Sequence, residues 1–440
     1  MFSNATALLA WLLGGCSSPP EGIILVSIDT LRADALSVYG APAGSSPFLE
    51  KFASEAVVFE HAYSQSNETL FSHASMFTSR RVTALGELTY DLTITDQTPS
   101  LAMQLQQAGL RTGAVVASGH LARIFGLDDG FDDYFEGPDW GSFQETLPLA
   151  LNWLDRVIED EEDFFLFLHS YDCHNPYTKP GVFGRMWKPG YVGPFLPMSS
   201  NALMYEKIYR NTVFPRFTLN LDENDAGVSI LAPDVYRLLP LYAARTDVAR
   251  IELGQEDLDY IRGLYATSVF YVDLYIGALM NELDRRGLLE TTTIVIMSDH
   301  GEELLDHGFI NHRHTLHDES THVPLMVRLP GGQGGGMRHS EVVELTDVAP
   351  TIIDMVKGAV RPTTMGGSSL ARCVFEGESC AVREVAYSEG VLQESTVTDG
   401  QYRLIVRGIP PSSSRYEQWV TEARAERLLL YDRLGPGGLY

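Results

Sequence analysis

The chain has 440 residues, 45% hydrophobic and 20% charged, enough apolar material for a packed core, which excludes a wholly disordered protein. Its length suits one large domain plus a smaller one. With 32 Lys and Arg against 58 Asp and Glu, the net charge is -26 and no basic run offsets it. Such a surface repels phosphate backbones, so nucleic-acid binding is excluded and the acidity reads as a solubilising surface.

The first element is a short apolar run, Ala7 to Leu13, ending at Leu13-Gly14-Gly15-Cys16 and followed by Ser17, Ser18, Pro19 and Pro20. A membrane span needs roughly 20 apolar residues, and this run is far shorter. Residues 1–20 resemble a bacterial lipoprotein signal, in which a cysteine behind small residues is lipidated, although no Lys or Arg precedes the apolar run. The expectation is an exported protein of the bacterial cell envelope, held on the membrane by a lipidated Cys16, with no protein partner. A plain N-terminal tail is the competing reading. Cys373 and Cys380 flank a short polar loop and could close a disulfide in an oxidising compartment, leaving Cys173 unpaired.

Three short apolar runs follow along the chain, each ending in ionisable residues. Ile23–Ile28 ends at Asp29, Phe164–Leu168 runs into His169, Asp172 and His174, and Thr293–Met297 ends at Ser298, Asp299 and His300. Runs this short and rich in Ile, Val and Phe predict strands buried on both faces. Helical patterns lie between them, from Leu101 to Ala108 before Gly109 and from about Asp257 to Arg286 before Gly287. Alternation of this kind predicts an α/β fold with a largely parallel central sheet. Ligands of such sheets bind beyond the carboxyl ends of the strands. One acidic residue there reads as a helix cap; three runs delivering Asp or His read as an active site. Asp29, Asp299 and His300 offer hard oxygens and one imidazole, a set suited to one divalent metal ion, Ca, Mg or Mn, with Zn also compatible. A concentrated positive charge would let so acidic a protein bind an anion.

Several segments, in order, resemble the sulfatases of the alkaline phosphatase superfamily. They are Ile28-Asp29-Thr30-Leu31-Arg32-Ala33-Asp34, Asp172-Cys173-His174-Asn175-Pro176-Tyr177, Ser298-Asp299-His300-Gly301-Glu302-Glu303-Leu304, Val323-Pro324-Leu325-Met326-Val327 and Thr346-Asp347-Val348-Ala349-Pro350-Thr351. The resemblance implies a three-layer α/β/α sandwich over residues 21–370 and a small C-terminal α+β subdomain over 371–440. Residues 181–246 stand as an unassigned insertion, either a lid or a packed subdomain. Many sulfatases carry a Cys or Ser that is oxidised to formylglycine. This chain instead reads Glu68-Thr69-Leu70-Phe71-Ser72-His73-Ala74-Ser75, resembling a branch with Thr at the nucleophile position. Thr cannot become formylglycine, so the resemblance implies that the Thr69 hydroxyl joins the metal ligands and attacks directly. An N-cap is the ordinary role of Thr before a helix and competes with that reading.

The same resemblance makes His174 and His312 catalytic candidates, and His73, Asp172, Arg313 and His314 substrate-binding candidates; Arg32 and Asp34 would support them. The implied function is metal-dependent hydrolysis of sulfate or phosphate esters through Thr69, with phosphate esters slightly preferred. A phosphoryl or phospho-alcohol transferase and a non-catalytic sulfatase-like metal-binding protein are the alternatives.

Overall fold

The strands form where Ile, Val, Leu and Phe can be buried on both faces at once. The computed structural model describes residues 21–86, 98–175, 177, 179, 183, 190–192, 218–220, 252–390, 394–407 and 428–432. The lipoprotein-like segment 1–20 and most of 181–246 lie outside the described residues.

In chain order the elements are β1 (Gly22–Ile28), α1 (Pro47–Ser54), β2 (Val57–Tyr63), α2 (Thr69–Thr78), α3 (Leu101–Gln107), β3 (Arg111–Val116), β4 (Asp133–Glu136), α4 (Phe143–Glu159) and β5 (Phe164–Ser170). After the short pair β6 (Thr218–Asn220) and β7 (Glu252–Gly254) come α5 (Gln255–Arg285), β8 (Thr292–Met297), β9 (Glu303–Leu304), β10 (Ile310–Asn311), α6 (Asp318–Thr321), β11 (His322–Arg328), β12 (Arg338–Glu344) and α7 (Val348–Met355). The chain closes with α8 (Ala371–Glu376), β13 (Ala386–Glu389), β14 (Glu394–Thr398), β15 (Tyr402–Arg407) and β16 (Leu428–Asp432).

Eight strands make the main sheet in the order β12-β2-β11-β8-β1-β5-β3-β4. The three runs read from the sequence are its central neighbours: β1 pairs in parallel with both β5 and β8. Their ends therefore meet at one place. The sheet is mixed, since β11 is antiparallel to both β2 and β8. After β8 the chain stays at the carboxyl edge through residues 298–321, so β11 re-enters from that edge and must run backwards.

Alternate side chains of β1 feed two cores. Ile24, Val26 and Ile28 pack with α1, α4 and α5, and Ile23 and Leu25 pack with α2, α3 and α7. The result is the three-layer α/β/α sandwich. Helix α5 is long and apolar enough to cross a membrane, yet 67% of its most apolar window is buried in the protein, as befits a core helix. Strands β13 to β16 form a separate antiparallel sheet. Its buried Arg403 donates to Leu316 O at 2.6 Å and Thr321 Oγ1 at 2.9 Å, tying this sheet to the loop below the site. The Cys373–Cys380 disulfide is formed, and Cys173 is free and buried.

Candidate active site

Asp29, at the end of β1, and Asp299 and His300, after β8, are fully buried, and their ligand atoms lie within 4.8 Å of one another. The loops that carry them are cross-braced. Asp299 Oδ1 accepts from Thr30 N at 3.2 Å and His300 N at 2.8 Å, while Ser298 Oγ accepts from Leu31 N at 2.9 Å. Thr30 takes φ 56°, a left-handed conformation costly for a β-branched residue and typical of over-determined functional loops. Gly301 is obligatory: a Cβ there would meet Glu319 O at 1.9 Å. This close approach lets Gly301 N donate to Ser320 O and seats His300 against the sheet edge.

His300 Nδ1 lies 2.9 Å from Gly301 O, which can only accept, so the ring carries its proton on Nδ1 and presents the Nε2 lone pair to the carboxylates. Asp29 Oδ1 and Asp299 Oδ2 are buried without a hydrogen-bond partner. Burial raises the proton affinity of both carboxyls; for Asp29 the nearby His300 opposes this, and for Asp299 the Asp29 charge adds to it. Two buried carboxylate oxygens without partners, facing an imidazole lone pair, are what a divalent cation would satisfy, and the residues fit one.

Thr69 opens α2. Its Oγ1 donates to Asp29 Oδ2 at 3.0 Å and lies 3.3 Å from His300 Nε2. Glu68, not Thr69, is the N-cap residue, so Thr69 is released from the capping role the sequence left open. Its hydroxyl sits at the amino end of a ten-residue helix, where developing negative charge is favoured.

The histidines divide into two groups. His312 and His174 stand above the cluster, with His312 4.7 Å from His300 and 5.0 Å from His174 between ring centroids. His174 Nδ1 contacts Asn175 O at 2.6 Å, and burial pushes its pKa down to about 3. It is a neutral imidazole with its proton on Nδ1, so its Nε2 lone pair can accept a hydrogen bond without taking up the proton. His312 Nδ1 is 3.1 Å from Glu302 Oε1. Burial pushes the Glu302 carboxyl well up and the His312 imidazole well down, so the pair prefers its neutral form, with Glu302 donating to Nδ1 and the proton of His312 on Nε2.

Three of the substrate-binding candidates make local contacts within the fold. His73 is fully buried, with Nδ1 2.8 Å from Thr69 O and Nε2 2.9 Å from Ser27 Oγ; it braces the first turn of α2 from behind. Asp172 accepts from Phe143 N at 2.8 Å and Ser170 Oγ at 2.5 Å, anchoring the start of α4. His314 Nδ1 lies 2.7 Å from Glu303 Oε2 and its ring stacks on Phe309, so its contacts are with the β9-β10 hairpin. The local partner is a backbone carbonyl for His73, a backbone amide for Asp172 and a carboxylate for His314, contacts that spacing along a sequence does not reveal.

Arg313 is at the site, held by Glu68 Oε1 at 2.9 Å with φ 81°. Arg32 is bound to Asp34 and Asp306, behind the metal loop. Sequence reasoning missed His120 and Trp140. His120 follows β3 and lies 2.9 Å from Glu68 Oε1. Burial alone would raise the Glu68 carboxyl, but the His120 hydrogen bond and the Arg313 charge outweigh it and hold the pKa down to about 2. The position of His120 after a strand of the same sheet was the available signal. A separate cavity of about 360 Å³ opens at the amino ends of the strands, beside Gly22, Phe164 and Thr293, away from this chemistry.

The fold is the alkaline-phosphatase-like three-layer α/β/α sandwich. The Sulfatase family profile matches residues 22–359, and the chain belongs to the sulfatase family, whose members are metal-dependent; it is an ester hydrolase of that family. It is 25% identical to an N-acetylglucosamine-6-O-sulfatase of Bacteroides thetaiotaomicron, over 86% of this chain and 76% of that protein. It is 22% identical to an arylsulfatase of Clostridium perfringens, over 81% of this chain and 79% of that one. Among solved structures it resembles BT4656 in complex with its substrate D-glucosamine-2-N,6-O-disulfate, with TM-score 0.68, 20% identity and coverage of 94% of this chain and 91% of that one. The phosphonate monoester hydrolase of Agrobacterium radiobacter gives TM-score 0.67 at 18% identity, covering 94% of this chain and 89% of that one. At these identities the structural matches establish the fold.

Proposed function

We propose that the protein hydrolyses a phosphate or sulfate ester with Thr69 as nucleophile, phosphate being preferred. The observation that carries this reading is the Thr69 hydroxyl, 3.0 Å from Asp29 Oδ2 and 3.3 Å from His300 Nε2 at a helix N-terminus. Asp29, Asp299, His300 and Thr69 would hold one Ca, Mg, Mn or Zn ion. When bound, the ion supplies charge neutralisation for the ester oxygens and for the Thr69 oxygen.

The chain's own residues do the rest. Thr69 Oγ1 gives up its proton to Asp29 Oδ2, 3.0 Å away, and forms a bond to phosphorus or sulfur. The bond to the alcohol oxygen breaks, and that oxygen takes a proton from His312 Nε2. Glu302 returns a proton to His312 through Nδ1. Arg313, oriented by Glu68, binds a non-reacting oxygen of the anion. Water then attacks the Thr69 ester, its proton passing to the vacated His312 Nε2 while the Nδ1 proton goes back to Glu302, and the Thr69 oxygen takes its own proton back from Asp29 as the inorganic anion leaves.

The preference for phosphate follows from the second half of the cycle. A formylglycine hydrate can collapse and eject sulfate, whereas a Thr ester has to be cleaved by water, which is workable at phosphorus. The test is a panel of aryl sulfates, phosphate monoesters, phosphate diesters and phosphonates, with Ca, Mg, Mn and Zn supplied separately. We expect phosphate ester turnover to exceed sulfate ester turnover; efficient sulfate cleavage with almost no phosphate cleavage would reverse the assignment. The two relatives named above are both sulfatases, and the panel decides between the two outcomes.

The reading includes export to the bacterial envelope and anchoring through Cys16, which the Cys373–Cys380 disulfide supports as a sign of an oxidising compartment. The Cys16→Ala protein is expected in the soluble exported fraction, and mass spectrometry of the wild-type N-terminus should find Cys16 carrying more than one acyl chain, since one anchors only marginally. An unmodified Cys16, or a mature chain beginning at Met1, refutes the anchor.

A further inference from the structure

Trp140 is exposed over 48% of its surface yet is held in a strained backbone conformation, φ 60°, rare for a bulky aromatic residue. The strain is imposed by a fixed turn: Gly141 N donates to Pro138 O at 3.0 Å, and Tyr171 N donates to Gly141 O at 3.0 Å. The turn sets the indole against the catalytic rim. Its ring stacks on His174 at 4.9 Å and 29°, and lies 4.9 Å from Tyr171 and 5.6 Å from His120. A half-exposed tryptophan maintained at a conformational cost beside reactive imidazoles points to a ligand contact.

Trp140 also walls a cavity of about 430 Å³, with Gln144, Glu145, Tyr171, Lys179 and Tyr271 around it. That volume suits a small organic group. Its walls carry two carboxylates, Glu145 and Asp172, against the one ammonium of Lys179, which lies 3.3 Å from Asp172 Oδ1, so an excess negative charge remains. A polar wall with an excess carboxylate does not suit a second anion. It suits a neutral group with several hydroxyls, and the indole supplies a flat apolar face for a ring.

We propose that Trp140 is a specificity-determining residue that stacks on a six-membered ring of the leaving alcohol, with the ring's hydroxyls directed to Gln144, Glu145 and Lys179. The proposal rests on the ester-hydrolase site described above, because the alcohol oxygen departs on the side of His312 and His174, where the indole stands. Trp140 thus reads the alcohol, and the buried cluster reads the anion.

Two measurements test it, and the second does not depend on turnover. In the first, cyclohexyl and n-hexyl esters of the preferred acid are compared; their leaving oxygens are chemically alike and only the ring differs. Trp140→Ala should lower the cyclohexyl to n-hexyl ratio of kcat/KM about tenfold, or about 1.4 kcal/mol, through KM, while Trp140→Phe keeps most of the discrimination. An equal fall on both esters overturns the proposal, since it would make Trp140 a brace for His174. In the second, saturation-transfer NMR compares methyl glucopyranoside with the open-chain polyol sorbitol on metal-loaded protein. Transfer to the ring sugar that is strong in the wild type and lost in Trp140→Ala supports the platform, even where the esterase reading fails. Equal transfer to both polyols, or none in the wild type, overturns it. Trp140→Gln replaces the alanine variant in both measurements where the latter does not fold.

Discussion

Replacing Thr69 with Ala is expected to lower turnover about a thousandfold or more while leaving the fold and most of the metal affinity in place. Losing a nucleophile from a site whose other groups remain usually costs at least this much, and the residual rate comes from binding and charge stabilisation alone. The structure gives reasons to expect a clean effect. Thr69 is fully buried, so substitution exposes no new surface, and the first-turn backbone is held by the contact of Thr69 O with His73 Nδ1, which alanine keeps. Ser72 N also donates to Glu68 O at 3.0 Å regardless of the side chain at 69. Thr69→Ser retains the hydroxyl and loses one methyl, so it should keep a measurable part of the activity, with a lower kcat from the freer rotor. Burst kinetics of the wild type, with one alcohol released per site ahead of the anion, would report the covalent Thr69 ester. Full activity in Thr69→Ala means that water attacks directly and removes the nucleophile assignment.

The parts of this protein that were legible in the sequence are those where one physical demand dominates. Strands β1, β5 and β8 are buried on both faces, so their residues must all be apolar and the runs stand out. The ionisable residues that close them are anomalies against that background, which is why Asp29, Asp299 and His300 were found. Strands β2 and β12 were not found: Val57–Tyr63 carries Glu60 and His61, and Arg338–Glu344 mixes polar and apolar residues because it lies at the sheet edge. Strand β4 has only four residues, too few for a period to register.

Within the site, ligand chemistry is visible from residue type and position, but orientation is not. His73 and His174 are both histidines near motifs; one turns into the core toward Ser27 and the other outward to Trp140. The difference arises from the helix register of α2 and from the turn at Pro138–Gly141, neither of which is a property of the local sequence. His120 and Trp140 come from loops distant in the chain, joined to the site only because β3 and β5 are neighbours.

The second large effect is expected at Asp299. Asp299→Asn should leave the purified protein without stoichiometric metal and reduce turnover about a thousandfold or more. Asn is a better probe than Ala because it keeps an acceptor for Thr30 N and His300 N, the two backbone donors that Asp299 Oδ1 satisfies. Losing both would leave unpaired buried groups, each costing about 1–3 kcal/mol, and would confuse folding with metal binding. The charge is what the substitution removes. With chelator present the wild type holds two buried carboxylates whose proton affinities burial has raised, and the Asp29 charge raises that of Asp299 further. Neutralising one should therefore leave stability unchanged or slightly higher under those conditions. With metal at a hundredfold excess over its Kd the wild type should gain about 2.7 kcal/mol, seen as a higher Tm, and the variant should gain almost nothing. Titrating each cation against Tm ranks their affinities without any assay of activity. If Asp299→Asn is purified with one equivalent of metal and shows the wild-type rise in Tm, the ion is bound elsewhere and the pairing of Asp29, Asp299 and His300 as its ligands is wrong.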